Sequence, residues 1–198
     1  MSAETERKTT ERERPLIEAA LRIIGRAGID SVTHRAVAAE AEVSVGAVTH
    51  HFGTRDGLVD AALQFALARE VGRLRSFTLS LQSKAFDRDA WINALVNWYA
   101  KDLKVDAEAH VACYETFLAA ARTTRHRAIV AEWFATWRAS AELALTAAGS
   151  PTPRAHAELF VATLLGILLQ QLATPRRNFA QETKDTLSEL VGRLLCRN

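Results

Sequence analysis

Residues 33–52 read THRAVAAEAEVSVGAVTHHF, and this stretch decides the fold. Thr33 and Ser44 each stand just ahead of a short run with helical spacing. A hydroxyl there can accept a bond from an otherwise unpaired amide of the first helical turn. The spacing predicts a short helix over 34–41, a turn of roughly three or four residues, and a second short helix ending at His51. Ala36, Ala38 and Ala39 are small enough for the first helix to pack closely on its partner, Val43 would plug the turn, and Val48 and Phe52 would be the buried face of the second helix. Val45, Ala47, Thr49 and His50 then form a small outer face. A helix pair of this kind, held against a longer first helix, is the helix-turn-helix pattern.

That longer helix is expected over Thr10–Ala27, where Leu16, Ala20, Ile23, Ile24 and Ala27 make an apolar stripe at helical spacing. Residues 1–10 read as frayed, and Gly28 stands where a left-handed glycine would stop the helix. Thr54 can cap a further helix through Leu58, Ala62 and Phe65. Helical patterns follow over 55–81, 88–104, 106–122, 126–148, 153–173 and 180–196. At AGSPTP (148–153) Gly149 ends one helix, Thr152 caps the next and Pro153 takes its first position. The expectation is an all-α chain of about nine helices. Its division is a helix-turn-helix unit over 1–54 and a helical remainder over 55–198.

Composition narrows the class further. Glycine (9) and proline (4) are scarce, which favours helices over sheets. Cys113 and Cys196 lie far apart and form no metal-like cluster, so a reduced, cytoplasmic setting is expected. The first 15 residues carry charges and lack the apolar stretch of a signal peptide. The longest apolar run, Phe160 to Leu169, falls short of the ~20 residues of a membrane span, so no membrane partner is expected. Charge argues the other way from the motif. Residues 1–60 hold eight Lys or Arg against ten Asp or Glu, a net of −2, where a DNA-binding domain usually shows a basic surplus. Any phosphate contacts must come from well-placed charge rather than abundant charge.

On the DNA-binding reading, the second short helix enters the major groove. Val45 and Ala47 can touch thymine methyls there, and Thr49 and His50 can hydrogen-bond bases or phosphates. The Ser44 hydroxyl and the open amides beside it favour a phosphate. Spacing alone supports a short capped helix inside a bundle equally well. A longer match weighs against that. ALRIIGRAGIDSVTHRAVAAEAEVSVGAV and HHFGTRDGLVDAAL, within residues 14–63, resemble the DNA-binding domain of the tetracycline-repressor (TetR) family. The family's pattern is a first helix A-x-x-x-x-x-x-x-G, a Thr-led second helix ending A-x-x-A-G-V-S, then G-x-x-Y-x-H-F before Ser-Lys-Glu-x-Leu. The resemblance implies a homodimer on a pseudo-palindromic double-stranded operator, with Thr33, His34, Arg35, Ser44, Val45, Ala47, Thr49, His50 and Arg55 as candidate DNA contacts. Three positions depart from the pattern. Glu42 replaces the turn glycine, so a positive φ there would cost on the order of 1 kcal/mol. Thr49 replaces the phosphate-reaching tyrosine. Arg55 replaces lysine and keeps its charge.

The second half offers candidate sites rather than a motif. His110, Cys113, Tyr114, Phe117 and Ala121 share one predicted helix face; so do Trp91, Leu95 and Trp98, and so do Trp133 and Trp137. Such stripes are most often core. Their aromatic walls and few polar tips also suit a small-molecule pocket, for which Trp98, His110, Tyr114, Phe117, Trp133 and Trp137 are the candidates. The family resemblance implies that residues 55–198 form a ligand-binding and dimerisation domain with such a cavity, and that the protein is a repressor released from DNA by a small apolar or aromatic molecule whose identity the sequence leaves open. Residues 157–172 are apolar on more than one face, so a partner subunit is the economical cover. Phe160, Leu164, Gly166, Ile167, Leu168, Leu190 and Leu194 are the candidate dimer contacts. The alternatives are an all-α enzyme and an architectural DNA binder without ligand control. Against the enzyme, there is no Glu-x-x-His pair, no glycine-rich phosphate loop and no serine–histidine–acid set. No metal site or cofactor is expected, because His50 and His51, being adjacent, point to different helix faces.

Overall fold

The structure, a computed structural model, describes residues 10–82 and 86–196. Of the fray expected over residues 1–10, residues 1–9 lie outside them. Among the described residues are nine α-helices: α1 (Arg14–Ala27), α2 (His34–Glu40), α3 (Val45–Phe52), α4 (Arg55–Gln82), α5 (Arg88–Val105), α6 (Ala107–Arg122), α7 (Arg127–Ala147), α8 (Pro153–Ala173) and α9 (Phe179–Leu195). One turn of 3-10 helix, Ile29–Ser31, follows α1, and there are no strands among the described residues.

The chain forms two compact units. One comprises the chain to Ala68 together with Glu108–Arg127, and the other Arg69–Ala107 together with the chain from Ala128. The division therefore falls within α4, and α6 groups with the N-terminal helices.

In the first unit α1 starts later than its periodicity suggests. Thr10 and Glu13 exchange bonds, the Thr10 amide donating to Glu13 Oε2 (3.0 Å) and the Glu13 amide to Thr10 Oγ1 (3.3 Å). This is a capping box, and Pro15 in the first turn completes the start. Gly28 ends α1 with φ +79° and ψ 167°, an extended conformation open to glycine and distinct from the left-handed helical one expected. Leu16, Ile17, Ala20, Ile23 and Ile24 of α1 are buried with Val37, Ala38, Val48 and Phe52. Gly25 lets α6 come close: a Cβ there would lie 2.5 Å from the Glu108 carbonyl oxygen.

α2 ends in a Schellman cap. The Val43 amide donates to the Ala38 carbonyl (2.9 Å) and the Glu42 amide to that of Ala39 (3.4 Å), with Glu42 at φ +55°. Here Val43 differs from expectation: its amide closes the helix while its side chain is 40% exposed, so it plugs nothing. Ala39 is likewise exposed, because the close-packed side of α2 is Val37 and Ala38.

In the second unit α7 ends in the same cap, made with Gly149 at φ +83°; Ser150 donates to Leu145 (3.0 Å) and Gly149 to Thr146 (3.0 Å). Thr152 does not cap α8 with its side chain. Its hydroxyl is 3.0 Å from His156 Nε2, and the Ser150 hydroxyl is 2.7 Å from Nδ1. α9 packs on α5 and α8. α8 buries Ala157, Phe160, Val161, Leu164 and Leu168 and leaves Leu159 and Leu169 about half exposed. By length and composition α8 is apolar enough to cross a bilayer, which run-counting misses because Glu158 and Gln170 bound the apolar run. A core helix passes the same test, and five α8 residues are buried in this chain.

Candidate nucleic-acid interface and effector site

The two caps that position the helix pair form as the sequence predicts. Thr33 Oγ1 accepts from the Ala36 amide (3.0 Å), and Ser44 Oγ accepts from the Ala47 amide (3.2 Å). Each cap contributes about 1 kcal/mol to its short helix. Val48 and Phe52 anchor α3 inward, leaving Val45, Thr49 and His50 exposed and Ala47 half-buried. The Thr49 hydroxyl is turned back to donate to the Val45 carbonyl (3.1 Å). His50 sits edge-on to His51, with ring centroids 5.5 Å apart. His51 points the other way, its Nδ1 3.9 Å from Glu13 Oε1. On α2, Arg35 is exposed and has no ion pair among the described residues, whereas His34 is half-buried with Nε2 lacking a hydrogen-bond partner among them.

Several cations of this unit are already engaged. Arg55 Nε donates to the Val32 carbonyl (2.8 Å) and its NH2 group to that of Ile29 (2.8 Å), with Asp30 and Asp56 carboxylates at 3.6 and 3.5 Å. Its guanidinium thus ties the 29–32 turn to the start of α4. Arg22 and Arg26 of α1 both bind Glu40 of α2, at 2.7 and 2.5 Å. The bonds from Arg22, then Arg26, hold the Glu40 carboxyl below its ordinary value. A second clasp ties α4 to the turn between α6 and α7: Asp60 lies 2.6 Å from Arg125 Nε and 3.3 Å from His126 Nε2. Burial pushes the Asp60 carboxyl up, against the opposing pull of Arg125 and His126.

The candidate effector residues divide between the units. Trp98, Trp133 and Trp137 belong to a continuous aromatic cluster in the second unit. Trp98 contacts Tyr99 (5.0 Å between ring centroids), Tyr99 stacks on Trp137 (5.8 Å), and Trp137 meets Trp133 (5.9 Å). Phe160 stacks on Trp91 (4.8 Å). The buried stripe of α5 is Trp91, Ile92, Leu95, Val96 and Tyr99, so Trp98 stands at its edge, half-buried. Tyr99 was missed because Trp98 suggested a stripe rotated by one residue; the i, i+4, i+8 spacing of 91, 95 and 99 is the signal that finds it. His110, Tyr114 and Phe117 lie on α6 in the other unit, where His110 is buried and Tyr114 meets Phe117 edge-on at 5.6 Å. Ala121, placed on that face by spacing, is exposed; the buried face of α6 runs through His110, Cys113, Thr116 and Ala120.

An open groove of about 550 Å³ is lined by Arg69, Gly72, Arg73, Ser76, Phe77 and Trp98. Phe77 and Trp98 stack at 5.3 Å, and the Arg73 guanidinium lies over Trp98 at 5.1 Å. Arg73 also grips Asp102 at 2.5 and 2.9 Å, and Arg69 meets Asp106 at 3.2 Å. Inside the cluster the Trp137 indole N–H is buried without a hydrogen-bond partner among the described residues. Such an orphan donor costs about 1–3 kcal/mol. Of the dimer candidates, Phe160, Leu164 and Leu168 are buried within this chain, whereas Gly166, Ile167, Leu190 and Leu194 are half-buried.

Comparison with known proteins agrees with this geometry. Residues 16–62 match the family described as bacterial regulatory proteins, tetR family, and residues 87–196 match the tetracyclin repressor-like C-terminal domain. The multidrug binding protein EbrR, solved in complex with ethidium, is 32% identical, with 91% of this chain and 98% of that one covered and a TM-score of 0.65. A member of the TetR family from Streptomyces coelicolor is also 32% identical over the same shares, with a TM-score of 0.72. The HTH-type transcriptional regulator BetI of Burkholderia thailandensis is 43% identical over 56 residues, which are 28% of this chain and 29% of that regulator's length. Capped helix pair, helical remainder and matches over both halves lead to one conclusion: the chain belongs to the tetR family of bacterial regulatory proteins.

Proposed function

We propose that this protein is a cytoplasmic, homodimeric transcriptional regulator that binds a pseudo-palindromic DNA site and leaves it when a small molecule binds. The observation that carries this reading is the outer face of α3, held by the Ser44 cap and the buried Val48 and Phe52 yet exposed at Val45, Thr49 and His50. Reading lies within residues 1–54, and effector binding and dimerisation within 55–198. The face of α8 with the exposed Leu159 and Leu169 and the half-buried Gly166, and the half-buried Leu190 and Leu194 of α9, are the surface for the second copy. A Cβ at Gly166 would meet nothing within the chain, which leaves room for a helix from a partner.

The effector is a flat apolar or aromatic molecule, and a cationic one fits best. The likeness to EbrR, solved with ethidium, proflavin and malachite green, supports this class, as does the density of indole rings in the second unit. Binding there shifts α4, which runs from one unit into the other, and moves the two reading helices out of register with successive major grooves. The effector must bind the released state more tightly, since a ligand with equal affinity for both states shifts nothing. The test is fluorescence anisotropy on the gene's own upstream DNA over a range of salt. Steeply salt-dependent DNA binding is expected, and, because ethidium and proflavin intercalate into DNA themselves, their binding is measured on the protein alone by quenching of its tryptophan emission. Absence of any DNA binding overturns the regulator reading, and dyes that leave the tryptophan emission of the DNA-free protein unchanged overturn the effector class.

A further inference from the structure

The residues of α3 are VGAVTHHF, which include no arginine, lysine, asparagine or glutamine. These four types make the strong two-point hydrogen bonds that identify guanine or adenine from the major groove. Two hydroxyls beside the outer face are each partly engaged: Ser44 Oγ accepts from the Ala47 amide and Thr49 Oγ1 donates to the Val45 carbonyl. Ser44 keeps a proton to donate and Thr49 lone pairs to accept, so the polar groups left at this face are His50 and two single-point hydroxyls, none of which makes the two-point bonds above. What the face does present is apolar: Val45, 44% exposed, and the Thr49 methyl one turn on. The base feature that such groups recognise in the major groove is the C5 methyl of thymine.

Gly46 gives an independent indication. A Cβ at this position would meet only Ser44 Oγ at 3.8 Å, an ordinary contact, so nothing in the protein requires glycine. Within a helix glycine is less favourable than alanine by up to about 1 kcal/mol. A bare backbone next to Val45 is useful where another surface comes close.

We propose that α3 selects its DNA site through thymine C5 methyls packed against Val45 and Thr49, with Gly46 at the closest approach to the base edges. This rests on the DNA-binding reading above. The test uses the full-length protein and a duplex pool with a randomised core. The enriched site is resynthesised with each thymine replaced in turn by deoxyuridine, which removes the methyl and keeps the base pairing. At least one thymine in each half-site is expected to lose about three- to tenfold in affinity on replacement, as for one buried methyl. Val45→Ala should abolish that sensitivity at the thymine it touches while leaving the melting temperature unchanged, the signature of a direct pair. Gly46→Ala should fold at least as stably and bind about tenfold more weakly, from overpacking at the interface. Three results overturn the proposal: uracil replacement silent throughout the site, an enriched site without thymine in the half-sites, or Gly46→Ala binding as the parent does. In any of these cases binding itself persists, so the regulator reading survives. If no sequence is enriched and no duplex is bound, both fall together.

Discussion

Val45 on α3 is 44% exposed, whereas Trp91, Trp133 and Trp137 in the other unit are 2–3% exposed. Both groups are apolar, and the contrast lies in what they touch. The outer face of α3 is preformed and unfilled, held by bonds within a few residues of chain. The rings of the second unit pack on one another instead: Trp98, Tyr99, Trp137 and Trp133 of α5 and α7 follow with centroids 5.0–5.9 Å apart, and Phe160 of α8 stacks on Trp91 at 4.8 Å. A groove-reading surface can be rigid and open because its ligand is larger than the protein's own contacts. If the effector enters this cluster, as proposed, rings must move to admit it, and the Trp137 N–H, buried with no hydrogen-bond partner among the described residues, would gain an acceptor from it. Substitutions in the two regions should therefore be felt in different measurements.

The largest effect is expected from Phe160→Ala, which removes the ring stacked on Trp91 and leaves a cavity in the second unit. It should cost about 3–5 kcal/mol in urea unfolding. Val45→Ala, at an exposed position, should stay within about 0.5 kcal/mol and be felt only in DNA affinity. A cost below ~1 kcal/mol for Phe160→Ala would mean that the cluster is not close-packed, and the contrast between the regions would fail.

The same contrast explains what could be read from the sequence. Thr33, Ser44 and Gly149 act on amides and carbonyls within six residues of themselves, so their roles are visible locally, and the helix boundaries follow to within a few residues. The orientation of a long helix is set by distant partners. Spacing puts Trp98 on the buried stripe of α5, where Tyr99 stands instead, and Phe160, which spacing offers to a partner subunit, is covered by Trp91 of the same chain. Val43 shows a local failure as well. An apolar residue in a tight turn suggests a plug, yet the backbone amide, not the side chain, does the closing.

A smaller loss is expected from Arg55→Ala, and it sharpens the contrast from the reading side. Its two bonds to the Val32 and Ile29 carbonyls fix the turn that leads into α2. Losing charge-assisted bonds at a half-buried site should cost about 1–3 kcal/mol, seen as a lower urea midpoint. If stability is unchanged while DNA affinity falls, the guanidinium serves a phosphate instead of the turn.

Glu42→Gly should move stability the other way. Glu42 and Gly149 occupy equivalent positions in two Schellman caps, at φ +55° and +83°, yet only one is glycine. Relieving the side-chain clash at positive φ should gain up to about 1 kcal/mol, partly offset by the greater freedom of glycine in the unfolded chain. Gly149→Ala should lose a similar amount. A destabilised Glu42→Gly would show that the carboxylate makes a contribution larger than its backbone strain.

The smallest effects separate the two carboxylate clasps by the sign of their pH dependence. Glu40, bonded by Arg22 and Arg26, has its carboxyl held below the ordinary 4.5. Its contribution is therefore complete above that value and lost as pH falls through the lowered folded-state value. Asp60 is the reverse case: burial outweighs Arg125 and His126, so its carboxyl lies above the ordinary 3.8. The folded state then holds the proton more tightly than the unfolded chain does. Stability from Asp60 is greatest below the ordinary value and declines as pH rises through the raised one. Replacing each acid by its neutral amide isolates the sign. From pH 3 to pH 6, Glu40→Gln should become progressively worse relative to the parent, while Asp60→Asn should become progressively better. Unfolding in urea at matched pH values measures both differences. If the two slopes share a sign, Arg125 and His126 more than offset the burial of Asp60, and the clasp on α4 is an ordinary ion pair like the one on α2.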